Sequence, residues 1–423
     1  MSRTFASLGY HNYRIWFFGS LCAATGVWMQ RVAQDWVVFT EMTHHDANAV
    51  GIISALQFAP QMFLSPYAGV VADRMNRRRL IQVTQGLMLL TSIVMAVLLA
   101  TGSAQLWHFY ALAAVGGCVQ TFDNPARQIF VNELVPSCAV PNAVGLNSAS
   151  FNLARMLGPA VAGAALAAWG LWVVFAANAV LLAGPIVALA VMDASRLYES
   201  SRAARARGQV REGVRYLRGR TDLMVIVVVA SVVSCLGMNF QLYSTVMAVS
   251  VFNRGAGQYG LLSSIMAIGS LTGALVAARR TRPRVRGVVL AAFVFGIFEL
   301  GMAASPSYWV YAVLSVPWGF FALTMITSAN ATIQVTTEPR FRGRVMALYT
   351  MLFLGSTPVG SLLAGYVAQA WGPRWPLIIG GVASVLVSAL AALWVRSHWD
   401  MDVRMHIHRP FVEVVGPSER LER

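Results

Sequence analysis

The chain returns repeatedly to apolar stretches of a length that water does not favour and a bilayer does. Twelve such stretches are centred near Cys22, Phe58, Leu90, Val115, Leu157, Val180, Val232, Ile268, Val294, Phe320, Leu354 and Val385, six in each half. Each offers roughly 20 residues or more, which at about 1.5 Å per residue crosses about 30 Å of hydrocarbon. Lipid offers no partner for a backbone N–H or C=O, so a single crossing segment must be a helix. The expectation is an all-α integral membrane bundle of twelve helices. Composition agrees: 57% of residues are apolar and 12% charged, with a mean hydropathy of +0.60, far from the globular average. Polar residues continue to Arg14 and no small-residue cleavage site follows, so the first helix is expected to stay in the protein.

A net charge of +15 would point a soluble chain toward nucleic acid. Here no basic stretch alternates with aromatics outside the apolar spans, so no nucleic-acid partner is expected. The basic residues, all arginine, gather in alternate loops: Arg74 to Arg79, Arg196 to Arg220, Arg279 to Arg286, Arg340 to Arg344, and the tail from Arg396. The opposite loops hold only Arg254 and Arg374. Positive loops mark the cytoplasmic side, which places both termini inside and requires an even number of spans. Cys22, Cys118, Cys138 and Cys235 have no metal or redox spacing, and no cofactor or metal is expected. His44-His45-Asp46 lacks the context of an acyl-transfer site. The tail residues His398, Asp400, Asp402, His406 and His408 lack compact ligand spacing.

Four regions follow: a six-helix half over 1–193, a linker over 194–220, a second six-helix half over 221–396, and a tail over 397–423. In the linker Val210, Val214 and Leu217 recur at i, i+4, i+7 with Arg211, Arg215 and Arg218 opposite. That pattern predicts a short amphipathic helix at the inner headgroup layer; a solvated charged linker is the alternative. The halves share a weak repeat, Phe130-Val131-Asn132-Glu133 before Pro136 and Val335-Thr336-Thr337-Glu338 before Pro339. Two repeated halves around a midplane site are a common transporter plan.

Between the second and third stretches runs Gly69-Val70-Val71-Ala72-Asp73-Arg74-Met75-Asn76-Arg77-Arg78. It resembles the loop signature GxLaDrxGrr of the major facilitator superfamily, with Val71 for leucine and Asn76 for the second glycine. Asparagine tolerates a left-handed backbone better than other non-glycine residues, so the latter change is mild. The resemblance implies a conformational-switch loop in which Gly69, Asp73, Arg74, Arg77 and Arg78 steady one state, joined by an acid such as Glu133 or Asp123. Gly145, Gly158, Pro159 and Gly163 in the fifth stretch resemble the superfamily's exporter motif G(x)8G(x)3GP(x)2GG, with Ala154 and Ala162 replacing two glycines. Small residues there let helices approach and Pro159 bends the helix; generic helix packing is the alternative. Asn12-Tyr13-Arg14, Gly26 to Ala33, Phe122 to Arg127, Arg211-Glu212-Gly213 and Arg342-Gly343-Arg344-Val345 are similar to the enterobactin-exporter-like, transmembrane secretion effector branch.

Ionisable residues inside a membrane are costly and face an interior or a cavity. Arg31 and Asp35 stand at i, i+4 in the first stretch, and Asp123 and Arg127 do the same in the fourth. With Glu299 in the ninth they are the proton-coupling candidates; structural ion pairs are the alternative. Trp28, Trp36, Gln57, Asn147, Arg155, Gln241 and Trp318 are candidates for contact with cargo, packing or interface anchoring being the other reading.

The resemblance implies a secondary transporter of the bacterial cytoplasmic membrane, acting as a monomer. It would export a small amphiphilic molecule (a drug, siderophore or secondary metabolite) in exchange for protons, with membrane lipid as its solvent. An importer or facilitator of the same fold stays open. A membrane enzyme or lipid-handling scaffold would need a paired catalytic set that the sequence does not offer, and no GxxxxGK[ST] run supports nucleotide-driven transport.

Overall fold

A computed structural model describes residues 3–198, 209–278, 284–398, 402–405 and 412–415. The first half contains α1 (His11–Val37), α2 (Ala47–Arg74), α3 (Arg77–Ala100), α4 (Leu106–Phe130), α5 (Val140–Trp169) and α6 (Leu171–Val191). The linker helix α7 (Gln209–Gly219) follows. The second half contains α8 (Thr221–Leu236) with α9 (Phe240–Val246), then α10 (Ala256–Ala278), α11 (Val285–Ala303) and α12 (Tyr308–Thr336). It closes with α13 (Pro339–Gly355), α14 (Thr357–Trp371) and α15 (Trp375–His398). A short antiparallel pair, Asp402–Met405 with Val412–Val415, adds the one element the sequence reading did not anticipate.

Ten segments among the described residues are long and apolar enough to cross a membrane, α8–α9 and α13–α14 each counting as one. The two expected spans outside that group are α1 and α4. They have the length, 27 and 25 residues, but they carry Arg14, Arg31 and Asp35, and Asp123 and Arg127, respectively. Their polar residues are the ones expected to turn inward, which is why composition alone passes them over.

Within the first half α1 and α3 pack on α6 and α2 packs on α4; within the second α10 and α11 pack on α12 and α11 on α15. The halves meet along two seams, α2 against α14 and α5 against α10. The leading helix of each half ends alike: α1 passes into a π-helical turn at Val38–Met42 and α9 into one at Met247–Val251. The wider turn unwinds each helix before a residue of positive φ, His44 and His45 in one case and Asn253 in the other. His45 donates its N–H to the Phe39 carbonyl at 2.7 Å, and Asp46 caps α2 by accepting from Asn48 N–H at 2.8 Å. The His44-His45-Asp46 run therefore closes one helix and opens the next.

The end that carries the arginine-rich loops, here the basic end, is tied by charge. Arg77 pairs with Glu133 and also donates to the Ala72 carbonyl at 3.3 Å, while Arg78 donates to the Leu189 carbonyl of α6. Of the two acids expected beside this loop, Glu133 pairs with Arg77, whereas Asp123 pairs with Arg127. Asn76 does not use a left-handed backbone: its φ is −64°, and its side chain caps α3. Arg74 is exposed, and the Asp73 side chain lies outside the described residues. Asp193 caps the turn after α6, and its carboxyl is held below the usual range by hydrogen bonds from the Ser195 hydroxyl and N–H. Asn12 at the head of α1 bonds the Asp193 backbone in both directions.

Helix α7 forms where the pattern predicts it, but its apolar side turns into protein. Leu217 is buried, and the Tyr216 ring stacks on Phe341 of α13 at 4.4 Å. Glu212 pairs with Arg344 at 2.6 Å, so two of the short motifs singled out in the sequence meet one another. Arg220 forks onto Asp222 at 2.9 and 2.7 Å. Val210 and Arg211 have side chains outside the described ones, and of the tail's acids and histidines Asp400, His406 and His408 lie outside the described residues altogether.

Candidate functional site

The seams are closed at the end opposite the basic loops, and backbone meets backbone there. A Cβ on Gly51 would come within 2.6 Å of the Ser361 carbonyl, and one on Gly365 within 2.8 Å of the Ala47 carbonyl. Ala47 donates its N–H to Gln369 Oε1 at 3.1 Å. On the other seam a Cβ at Gly163 would meet the Ala256 carbonyl at 2.8 Å, and one at Gly260 the Pro159 carbonyl at 2.3 Å. Ser264 donates to the Met156 carbonyl at 2.7 Å. Closer to the basic end the same faces are bare: Gly145, Ser148 and Ala149 on α5, Ser65 on α2, Thr272 and Leu275 on α10, and Thr350 and Met351 on α13 are exposed. The space between the halves therefore opens toward the basic end.

The exporter-motif residues separate into roles. Gly158 lets α5 lie against α1, where a Cβ would come within 2.6 Å of the Trp28 Cβ. Gly163 and the Pro159 carbonyl serve the seam with α10. Gly145 has nothing within 4 Å. Gly69 sits half-buried on α2.

Asp35 lies on α1 beside the closed end of the seams. It is 4% exposed, with no hydrogen bond and no ion pair within 4.0 Å among the described residues. The next residue, Trp36, stacks on Tyr259 of α10 at 6.0 Å, and the Tyr259 phenol lies within electrostatic reach of Asp35. Arg31 does not close an ion pair with Asp35. It donates to Gln120 Oε1 at 3.0 Å and lies over the Trp28 and Phe58 rings at 5.1 and 5.3 Å. Two aromatic faces and an amide thus replace the carboxylate expected one turn away.

Behind Arg31 a polar cavity of about 40 Å³ is lined by Gln30, Arg31, Gln34, Gln57 and Gln120, with Thr91 beside them. Gln57 donates to Gln34 Oε1 at 3.3 Å. A space of that size with several polar walls holds one or a few waters rather than a cargo molecule.

Arg155, one α5 turn beyond Phe151, reaches across the seam to the Met266 sulfur at 3.8 Å. Among the described residues no carboxylate lies within 4.0 Å of it. Trp28 packs edge-to-face on Phe151 at 6.0 Å, so Arg31, Trp28 and Phe151 line one wall leading to Arg155. Asn147 is half-buried two turns nearer the basic end of α5, and Gln241 is half-buried on α9. Trp318 is not on this wall. It is 2% exposed, wedged between Phe240 and Phe295 inside the second half.

The two remaining acids sit in closed packing. Asp123 accepts from Thr84 Oγ1 at 2.6 Å and Gln85 Nε2 at 2.8 Å, with Arg127 at 3.7 Å and that guanidinium over Trp16 at 5.4 Å. It joins α3 to α4. Glu299 is fully buried in the second half, and neither carboxylate oxygen has a hydrogen-bond partner. Two glycines make room for it: a Cβ on Gly237 would reach its Oε2 at 2.9 Å and one on Gly380 its Oε1 at 2.6 Å.

Residues 2–420 match the family model described as "Transmembrane secretion effector". The chain belongs to that family of major facilitator transporters. It is a multi-pass membrane protein and not an enzyme. It is 24% identical over 387 residues to the "Staphyloferrin A transporter" of Staphylococcus aureus, spanning 89% of this chain and 94% of that protein. It is 26% identical over 408 residues to the "Multidrug efflux pump Tap" of Mycobacterium bovis, spanning 91% and 95%. The fold is similar to an inward-facing bacterial Spinster homologue, with a TM-score of 0.71, 12% identity, and 92% and 98% of the two chains covered. It is also similar to a POT family transporter, with a TM-score of 0.74, 10% identity, and 91% and 96% covered.

Proposed function

We propose that this transporter exports a small amphiphilic molecule in exchange for protons, by alternating access between its two halves. The relatives whose printed names state an activity of efflux support the direction. The basic end is assigned to the cytoplasm by its arginines, so cargo enters the space between the halves from inside the cell. The two intramembrane guanidiniums without a carboxylate, Arg31 and Arg155, favour an amphiphile that carries a negative or electron-rich group beside an aromatic or aliphatic body. Trp28 and Phe151 supply the apolar contact.

The observation that carries the coupling is Asp35, a carboxylate buried on α1 beside the closed end, with no ion pair within 4.0 Å among the described residues. Neutral, it is compatible with the closed seam. Ionised, it is an uncompensated charge between packed helices, which costs several kcal/mol in principle and drives the seam apart. The cycle then orders itself. Cargo binds from the cytoplasm, the proton leaves Asp35 through the waters near Gln34 and Gln57, and the outer seam opens. Cargo departs, a proton returns from outside, and the seam closes.

The test is flux in proteoliposomes under an imposed pH gradient, with an amphiphilic anionic dye as first cargo and a resistance screen to widen the choice. Asp35→Asn is expected to abolish gradient-driven flux, while Asp123→Asn keeps it. Unchanged gradient-driven flux in Asp35→Asn overturns the assignment, and wild-type flux indifferent to the gradient makes the protein a facilitator.

A further inference from the structure

A second cavity lies away from the seams. It is a groove of about 430 Å³ on the outside of the second half, between α11 and α15. Its walls are Val289, Leu290 and Phe293 on one helix and Ala389, Ala392 and Leu393 on the other. Leu290 and Leu393 are exposed on the bundle surface. The helices run antiparallel, so the residues that open α11 and end α15 share the basic end. Arg286 and Arg396, both exposed, stand there at the mouth. At the other end the groove reaches Ser388, whose fully buried hydroxyl has no hydrogen-bond partner.

The dimensions fit one class of occupant. From Arg286 to Phe293, and from Arg396 to Ala389, the groove runs seven residues along each helix, roughly 10 Å at the helical rise. That is most of one leaflet of a hydrocarbon core about 30 Å thick. An apolar channel of leaflet depth, basic at the headgroup level, matches a lipid with an anionic head. We infer that the α11–α15 groove binds one anionic phospholipid, its phosphate between Arg286 and Arg396 and one acyl chain along Phe293 and Leu393.

Native mass spectrometry of the purified full chain reads this directly, with phosphatidylglycerol and phosphatidylcholine of matched chains supplied in equal amounts. A single phosphatidylglycerol adduct is expected. The Arg286→Gln/Arg396→Gln double variant is expected to lower its retention roughly thirtyfold, the size two arginines contribute at an anionic surface. Ala392→Trp fills the channel, keeps both arginines and is expected to lose the adduct. Equal retention of the two lipids overturns the proposal, as does retention unchanged in Ala392→Trp. A dimer mass in place of the adduct assigns the groove to a second copy, and displacement of phosphatidylglycerol by equimolar oleate assigns it to single-chain amphiphiles. Either result overturns the phospholipid.

Discussion

At the residue scale the acids of this bundle differ by what surrounds them, and their spacing in the sequence is a poor guide to that. Arg31–Asp35 and Asp123–Arg127 have the same i, i+4 pattern, yet only the second pair closes within 4.0 Å. Arg31 is drawn off by Trp28 one turn before it and by Gln120 and Phe58, the last two at other points of the chain. No local rule exposes those last two partners. Asp123 has two hydrogen bonds and an arginine, so Gln85→Ala removes one charge-assisted bond from it. That is expected to cost about 1.5–3 kcal/mol, seen as a lower melting temperature in detergent with gradient-driven flux retained. Glu299 predicts the opposite. Its carboxylate loses no hydrogen bond in Glu299→Gln, so the variant is expected to match or exceed wild-type thermal stability. Gly380→Ala, which drives a methyl group at that carboxylate, is expected to fall below it by about 1–3 kcal/mol.

At the scale of elements, periodicity and length made the helices legible, and arginine placement showed which loops share an end. The Gly69–Arg78 loop was legible as one contiguous motif, while the choice of Glu133 over Asp123 as the partner of Arg77 took the structure. The seams were not. Gly260 meets Pro159 and Gly365 meets Ala47 across distances of a hundred residues or more, and a glycine on an apolar helix does not announce which neighbour it admits. The packing of α7 on α13 was not legible for a related reason: its partner Phe341 is remote in sequence. The bare faces near the basic end carry a prediction about the other half of the cycle. Continuing each seam in register brings Gly145 opposite Leu275 and Ser65 opposite Met351. The cysteine pairs Gly145→Cys/Leu275→Cys and Ser65→Cys/Met351→Cys are expected to cross-link only when cargo or a pH gradient turns the protein over. Conversely, Gly260→Val cannot close the seam. A cysteine at Asn147 in that background is expected to react with an impermeant maleimide from the outer side severalfold faster than in wild type.

At the scale of the whole molecule, two halves with matching π-turned leading helices enclose a space open at one end. The two ends carry different chemistry, and only the far end joins the halves. The basic end uses Arg77–Glu133 and Glu212–Arg344, whereas the far end uses carbonyls against glycines. Salt screens the first kind of contact when it is exposed. Glu212 is 55% exposed, so Glu212→Ala is expected to change stability by less than about 1 kcal/mol. Its effect is expected on the docking of α7, read as faster proteolysis within the linker.

The glycine-lined seam has one more consequence, which concerns the shape of its energy rather than its strength. Dispersion between packed atoms fades over a fraction of an ångström; a gap of about 0.5–1 Å already forfeits a quarter to a half of each contact. A gate built that way has no half-open position to rest in. It behaves as a snap fastener, and ionic strength should leave its opening rate untouched while lateral pressure from the surrounding bilayer shifts it.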